Sequence, residues 1–219
     1  MRGKFIKLSK LLSRKGLYTF LDKELEKIPA GANVLNIGAG GDIGKTLRQH
    51  ADRQHFKIMS LDIDEQRHPD IVGDICTCDF KGLQFDAVVM AETLEHIPSP
   101  HLALENIHRN LKDGGRLILT APFIFPIHDQ PYDYYRFTRY GLEYLLRQFR
   151  DVSIQERNSW AETIDVLSVR LIMDKNRLAR ALAPIFVLLA FIKWPISFLL
   201  SRLIRTNYIT IGYVVTALK

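Results

Sequence analysis

Residues 32–44 read ANVLNIGAGGDIG, and they give the clearest indication of architecture in the chain. The first half is an apolar run typical of a short buried strand, and the second half is a glycine-rich turn that leads into a helix. Gly38 and Gly40 leave backbone N–H groups bare at a helix N-terminus, where a ligand can approach closely. The pattern therefore predicts a nucleotide-type cofactor site.

A second motif, about twenty residues farther on, strengthens this prediction. Residues 60–64 read SLDID, so that Asp62 ends a second apolar strand. A carboxylate at that place is suited to holding the hydroxyls of a ribose. The turn and the acid together indicate nucleotide binding far more specifically than either does alone.

The composition suits one domain with additions, because 47% of the 219 residues are hydrophobic. Cys76 and Cys78 are separated by one residue, and a bridge over so short a span would be strained. They have no further cysteine or histidine cluster beside them, so we predict no metal site and regard both thiols as incidental. The N-terminus has lysines and arginines interleaved throughout and no long apolar core, which predicts a cytoplasmic protein without a secretory signal.

The net charge of +6 is unevenly spread along the chain. Residues 1–16 carry +6, residues 17–165 carry −7 and residues 166–219 carry +7. An acidic body with two basic ends does not resemble a nucleic-acid groove, so no nucleic-acid partner is expected. The basic ends suit an anionic surface such as the inner membrane face; basic tails that only aid solubility are the alternative.

Residues 1–30 are predicted to form basic amphipathic helices, ended by Pro29. Downstream, short apolar runs alternate with helical patterns, which implies a parallel sheet with helices on both faces. The predicted strands are 33–37, 57–61, 71–72, 85–90, 116–121, 152–155 and 208–218, and the predicted helices are 44–50, 102–111 and 139–149, the last capped by Thr138.

Residues 181–200 form an apolar segment that Lys193 interrupts and that Pro184 and Pro195 divide. We interpret it as a helical hairpin or a pair of helices lying in a bilayer interface. A helical cover over the sheet and an oligomer seam are the alternatives. A full membrane span is disfavoured by the prolines and the lysine. The sequence does not predict an oligomeric state.

Five segments in order resemble the class I S-adenosylmethionine-dependent methyltransferases, especially the type 11 group. They are VLNIGAG at 34–40, SLDI at 60–63, GDI at 73–75, FDAVV at 85–89 followed by ETLEHIP at 92–98, and LKDGGRL at 111–117. The likeness covers about residues 32–150 and the final strand. Two departures are Asn36, where the family often has an acid, and Asp42, where its third glycine usually stands.

The resemblance implies an α/β fold: a Rossmann-like, doubly wound, seven-stranded and mostly parallel sheet with an antiparallel last strand. Residues 31–165 and 207–219 would form this domain, and 166–206 would be a helical insertion before the last strand. The implied reaction is in-line methyl transfer from S-adenosylmethionine. The residues expected to contact this cofactor are Asn36, Gly38, Ala39, Gly40, Asp62, Ile63, Asp74, Ile75 and Ala91.

The acceptor is expected to bind at residues 128–138, which read HDQPYDYYRFT. Within this loop we expect Asp129, Tyr134, Tyr135 and Arg136 to contact a small-molecule, lipid-linked or saccharide acceptor. The alternative is a rigid loop in which Arg136 pairs with an acid. His128 and His96 are the candidate general bases, because histidine titrates near neutrality.

Two other functions fit parts of the pattern. One is a non-catalytic membrane adaptor that keeps the fold with a degraded cofactor site. The other is an NAD-dependent oxidoreductase, since Asp62 would suit that ribose as well. Ile43 opposes the second alternative, because it stands where the dinucleotide motif requires a glycine.

Overall fold

A computed structural model describes residues 2–219 of the protein, and the side chains of residues 3–219. Seven strands form one sheet. They are β1 (Asn33–Ile37), β2 (Lys57–Asp62), β3 (Ile71–Val72), β4 (Phe85–Ala91), β5 (Leu111–Pro122), β6 (Arg150–Glu156) and β7 (Gly212–Leu218). The helices are α1 (Arg2–Leu25), α2 (Gly41–Gln54), α3 (Pro100–Asn110), α4 (Arg139–Leu145), α5 (Trp160–Arg170) and α6 (Arg177–Leu203).

The strand order is β3-β2-β1-β4-β5-β7-β6. β1 to β5 pair in parallel, and β7 is antiparallel to both of its neighbours. The predicted mostly parallel sheet with an antiparallel last strand is therefore confirmed.

Both faces of the sheet are covered by helices, as the alternating pattern predicts. On one face, α3 and α4 pack against inward side chains of the strands, with Leu104 and Leu142 fully buried. On the other face, α1 and α2 do the same through Leu21 and Leu47. Thr138 caps α4 as predicted, accepting a hydrogen bond from the backbone N–H of Gly141 at 3.0 Å.

The N-terminal region differs from the prediction of several helices, because α1 is a single helix of 24 residues. Gly16 lies in its middle, where glycine costs about 1 kcal/mol relative to alanine. A Cβ added at Gly16 would collide with the backbone carbonyl oxygen of Arg157. Close packing at Gly16 therefore explains a residue that would otherwise weaken the helix.

The predicted hairpin or pair of helices over 181–200 is also wrong, since α6 is one helix of 27 residues with Pro184 and Pro195 inside it. α6 packs along α5, which the sequence patterns did not predict. Asp165 of α5 is buried, and its carboxylate accepts from Ser197 Oγ at 2.7 Å and pairs with Lys193 Nζ at 2.6 Å. Tertiary packing of this kind compensates for the backbone hydrogen bonds that the prolines remove.

Candidate cofactor and acceptor site

The candidate site lies where β1, β2 and β4 end, because parallel strands bring their carboxyl ends to one edge of the sheet. The chain runs outward from β1 through β2 to β3, and then returns to place β4 on the other side of β1. The point at which strand order reverses leaves a crevice, and open α/β sheets bind their ligands there.

The first glycine of the turn at the end of β1 has no room for a side chain. Gly38 has φ +92°, and a Cβ built on it would be 2.7 Å from Thr93 Oγ1. Its N–H continues the sheet by donating to the Leu61 carbonyl oxygen at 2.9 Å. Gly40 is the N-cap of α2, so the turn presents the N-terminus of that helix at the crevice.

Asp62 at the end of β2 is buried and faces this turn. Its carboxylate accepts from the backbone N–H of Ala39 at 2.8 Å and from that of Asp64 at 3.0 Å. Arg67 Nη1 lies 3.6 Å from the same carboxylate, and the Arg67 side chain crosses over Gly40. A carboxylate has about four lone-pair sites, so Asp62 retains acceptor capacity for hydroxyls.

Asn36 on β1 places an unpaired acceptor beside the turn. The side chain is 3% exposed, and its Nδ2 donates to the Gly38 carbonyl oxygen at 3.3 Å. Its Oδ1 is buried and has no hydrogen-bond partner among the described residues. Leaving such an acceptor unsatisfied costs about 1–3 kcal/mol, so a bound donor would stabilise it. Ala91, at the end of β4, lies on the same edge, with its carbonyl oxygen accepting from Thr93 Oγ1 at 3.2 Å.

The other end of the crevice contains Asp74 and Ile75. Asp74 Oδ1 accepts from the backbone N–H of Cys76 at 2.8 Å, and Ile75 is buried. Asn106 of α3 fixes this segment by donating its Nδ2 to the Ile75 carbonyl oxygen at 2.8 Å. Asn106 was not predicted from the sequence, because nothing in a helical pattern shows which turn it contacts. Ile63, after β2, is exposed.

Glu92 follows β4 and adopts φ +52°, which is unusual for a residue with a side chain. Its Oε1 accepts from Arg157 Nη1 at 2.7 Å and from Thr120 Oγ1 at 3.0 Å. Burial alone would raise the pKa of Glu92, but the Arg157 guanidinium outweighs it and lowers the pKa. Glu92 therefore stays ionised beside the crevice.

The structure brings the two candidate bases together, although they are 32 positions apart in the chain. The rings of His96 and His128 meet edge to face with their centroids 5.0 Å apart. Glu95 lies beneath them, fully buried. Burial raises the pKa of Glu95, with the charge of Glu92 adding to it. Burial lowers the pKa of His128, but the carboxylates of Glu95 and Asp133 raise it by more, so the pKa of His128 lies above its usual value.

Arg136 holds the loop that carries His128. Its guanidinium forms a two-pronged pair with Asp133, at 2.6 and 2.7 Å, and donates to the carbonyl oxygens of Phe125, Pro126 and Tyr135. These bonds use all five N–H groups of an arginine. The predicted role of Arg136 in acceptor binding would therefore require one of them to break.

The other residues predicted to contact the methyl acceptor differ in whether their side chains are already hydrogen-bonded. Tyr135 Oη donates to the Pro98 carbonyl oxygen at 2.8 Å, whereas Asp129 and Tyr134 are exposed on the loop. Burial raises the pKa of Asp133, but the hydrogen bonds from Arg136 act in the opposite direction, and the pKa falls to about 2. Hydrogen bonds therefore hold the loop in place around Asp133 and Arg136, whereas the side chains of Asp129 and Tyr134 are exposed.

Comparison with known proteins gives the family. A family model described as a methyltransferase domain matches residues 10–165, which is more than half of the chain. The chain belongs to this methyltransferase family. The family match agrees with the resemblance carried by the five motifs, and it does not support the dinucleotide-dependent alternative.

Curated relatives of this methyltransferase match only parts of their length. The ubiquinone biosynthesis O-methyltransferase of Glaesserella parasuis is 31% identical over 42% of this chain and 36% of the relative. The demethylmenaquinone methyltransferase of Paenarthrobacter aurescens is 28% identical over 71% of this chain and 62% of the relative. The chain thus spans less than two thirds of the length of these relatives.

Solved structures share the fold of this methyltransferase. Phosphoethanolamine N-methyltransferase 2 from Haemonchus contortus, solved with S-adenosyl-L-methionine, superposes with a TM-score of 0.60 at 15% identity. The superposition covers 100% of this chain and 57% of the other. At this identity the likeness establishes the architecture alone.

The residues of this methyltransferase fit S-adenosylmethionine. Asn36 offers a buried acceptor for the ammonium group, and Gly38, whose Cβ would collide with Thr93 Oγ1, lets the turn adopt its close geometry at the crevice. Asp62 has acceptor capacity for the ribose hydroxyls. The roles of the nine predicted cofactor residues remain predictions, but these three features agree with them.

Proposed function

We propose that the protein is an S-adenosylmethionine-dependent methyltransferase that acts on a small acceptor presented at a membrane surface. The turn of Gly38 and Gly40 against Asp62, with the unpaired Asn36 Oδ1 beside it, carries the enzymatic part of this proposal. When bound, the cofactor supplies an activated methyl group on a sulfonium. The protein has then to align the acceptor and exclude water.

For the acceptor, we propose a hydroxylated ring carried on a lipid chain, the class to which quinols belong. The two curated relatives bear names from ubiquinone and menaquinone synthesis. The exposed Tyr132 and Tyr134 lie in the loop beside His96 and His128, and aromatic side chains suit a planar acceptor. A saccharide acceptor is the competing possibility.

The membrane part of the proposal is supported by α6, the one helix in the described chain that is long and apolar enough to cross a membrane. Large apolar side chains are exposed along it at alternating steps of four and three residues, which places them on one face. They are Leu178, Leu182, Ile185, Leu189, Ile192, Ile196, Leu199 and Leu203. An unbroken apolar face of this length is unusual for a surface in water.

No charge interrupts this face. Lys193, which breaks the apolar run in the sequence, turns back to the buried carboxylate of Asp165. The opposite side of α6 packs on the protein through Val187 and Ala190, which are buried against Val169 of α5. A helix that crossed the bilayer would lose these contacts, so we favour a helix lying in the interface.

The rim of the face is basic, which favours an anionic bilayer over a second copy of the chain. Lys15 lies over the Trp194 ring and Arg202 over the Phe198 ring. The α6 segment contains no aspartate or glutamate. Two copies packed through α6 would bring like charges together without acidic partners, whereas anionic headgroups would neutralise them.

An isotope-transfer assay tests the enzymatic part. The full chain is incubated with methyl-labelled S-adenosylmethionine and anionic vesicles containing either an isoprenoid quinol with a free hydroxyl or an undecaprenyl-linked saccharide. We expect label in the quinol, and none with an Asp62→Asn variant. Label in the saccharide alone, or in neither acceptor, would contradict the proposed substrate class.

Vesicle flotation tests the membrane part separately. Replacing Leu189 and Ile192 with glutamate should abolish flotation with anionic vesicles, because each charge would enter the apolar region of the bilayer. Replacing Leu83, an exposed leucine between β3 and β4, with glutamate is the matched control and should leave flotation unchanged. Failure of the unaltered chain to float at low salt would exclude the membrane surface.

A further inference from the structure

Glu95 carries a buried carboxylate that makes no hydrogen bond within the described part of the chain. Its side chain is 0% exposed, and neither Oε1 nor Oε2 has a hydrogen-bond partner among the described residues. Removing a carboxylate from water without pairing costs several kcal/mol. A bound ion is one of the accepted explanations for such a group in a folded protein, and Glu95 occupies the turn that follows β4, at the ligand edge of the sheet.

Two imidazoles face this carboxylate at equal distances. His96 Nε2 and His128 Nε2 each lie 3.7 Å from Glu95 Oε1. One ligand atom from each of the three residues can be chosen so that all lie within 4.8 Å of one another. In a tetrahedral metal site with ligand bonds of about 2.0–2.1 Å, neighbouring ligand atoms are roughly 3.3 Å apart. A small contraction of side chains would therefore form such a site.

The other ring nitrogen of each histidine, Nδ1, already contacts a backbone carbonyl oxygen. His96 Nδ1 donates to the Tyr132 carbonyl oxygen at 2.7 Å, and His128 Nδ1 lies 3.3 Å from the Pro126 carbonyl oxygen. Because a carbonyl oxygen can only accept, these contacts assign the proton of each neutral ring to Nδ1. Each Nε2 is then unprotonated and lies 3.7 Å from Glu95 Oε1, and a hydrogen bond on the other ring nitrogen is what orients histidines on a metal.

The ligand set selects the class of ion. Two imidazoles and one carboxylate suit Zn²⁺, Co²⁺, Fe²⁺ or Mn²⁺, whereas Mg²⁺ and Ca²⁺ prefer oxygen ligands. His96 and His128 are partly exposed, so one side of the cluster is open. Asp129 Oδ2 is 3.9 Å from His96 Nε2 on that side. Three protein ligands and an open position are the composition of a catalytic metal site rather than a structural one.

We propose that Glu95, His96 and His128 bind a divalent transition-metal ion that keeps a coordination position open toward the acceptor side of the crevice. The three side chains would act as ligands, which replaces the general-base role expected for the histidines. Metal binding by these residues does not depend on methyl transfer. If the proposed function holds, the open position would take an oxygen of the acceptor.

Cobalt and zinc titrations of the full chain, purified without a histidine tag and treated with chelator, test the site. We expect saturable binding of one ion per chain, visible d–d absorption bands with Co²⁺, and displacement of Co²⁺ by Zn²⁺. Absence of saturable binding, or binding of Mg²⁺ in preference to both ions, would overturn the proposal.

Matched variants locate the ion. Glu95→Gln and His96→Gln should each weaken Zn²⁺ binding at least tenfold in calorimetry, whereas His101→Gln, at an exposed position on α3, should leave it unchanged. Thermal unfolding without metal identifies any variant that fails to fold, and Glu95→Gln should fold, since it removes a buried charge and keeps its shape. Equal affinity in Glu95→Gln, His96→Gln and the unaltered chain would refute the assignment. Cofactor affinity, measured without metal, reports on the proposed function independently.

Discussion

Gly38 and Gly41 both lie in the turn after β1 with positive φ, but only Gly38 lacks room for a side chain. Both have positive φ, +92° and +73°, so a side chain at either position pays for a left-handed backbone. A Cβ at Gly38 would also meet Thr93 Oγ1, whereas a Cβ at Gly41 would have nothing within 4 Å. The pair therefore separates backbone strain from close packing at a single turn.

Gly41→Ala should lower the free energy of unfolding by about 1–2 kcal/mol, the cost of the left-handed conformation. Gly38→Ala should cost roughly 1–3 kcal/mol more, because Thr93 must move. Urea denaturation measures both values. Equal destabilisation by the two substitutions would show that the contact with Thr93 has no energetic weight.

Arg136 uses all of its donors within the loop that carries His128, so a lysine cannot replace it. Arg136→Lys should destabilise the protein by about 1–3 kcal/mol and speed cleavage at Tyr132 and Tyr134 by chymotrypsin. Arg147→Lys, at an exposed position just after the end of α4, is the control and should change neither quantity. A cleavage rate that Arg136→Lys leaves unaltered would mean that the ion pair with Asp133 does not hold the loop.

The strands could be predicted from the sequence because local patterns determine them. The apolar runs at 33–37 and 85–90 match β1 and β4 closely, and the turn that follows β1 is encoded in its glycines. The helices α1 and α6 were predicted wrongly, since Gly16 and the two prolines break helices locally but are accommodated here by packing on other elements. None of the predicted helices corresponds to α5.

The cluster of Glu95, His96 and His128 shows a different limit of sequence reasoning. Both histidines were found as candidates, but their meeting depends on the path of the loop after β5, which Arg136 and Asp133 fix. The burial of Glu95 and the two imidazoles that face it were not predicted, because they arise only in three dimensions.

Gly16→Ala tests the packing of α1 as an element. Helix propensity alone would favour alanine by about 1 kcal/mol. The added Cβ would collide with the backbone carbonyl of Arg157, which cannot rotate away as a flexible side chain can, so we expect a net loss of about 2 kcal/mol or more. Gly3→Ala has open space in the same helix and should be neutral or slightly stabilising. Thermal unfolding compares the two, and stabilisation by Gly16→Ala would contradict the close contact.

At the scale of the whole molecule, the fold brings the two basic ends of the chain together. Phe5 and Leu12 of α1 pack in one cluster with Val187 and Phe191 of α6, although about 180 residues separate them. This contact places the basic N-terminal half of α1 beside α6, where Lys15 lies over the Trp194 ring, while the acidic residues, apart from Asp174, belong to residues 17–165.

This arrangement predicts how membrane binding depends on charge. Replacing the exposed Lys4, Lys7 and Lys15 with glutamine should weaken binding to anionic vesicles by roughly 1 kcal/mol per lysine, and affect neutral vesicles little. The same three replacements at Lys45, Lys57 and Lys81 of the body serve as the control. Equal losses in the two variants would mean that net charge, and not the basic rim, determines binding.

The central claim is that the turn of Gly38 and Gly40, together with Asp62, holds S-adenosylmethionine. Isothermal titration of the full chain with S-adenosylhomocysteine, the demethylated cofactor, tests it directly. We predict one binding site per chain and a loss of about tenfold or more in affinity for Asp62→Asn, because a hydrogen bond to a charged group contributes about 1.5–3 kcal/mol. The absence of binding, or the same affinity in both proteins, would contradict the claim.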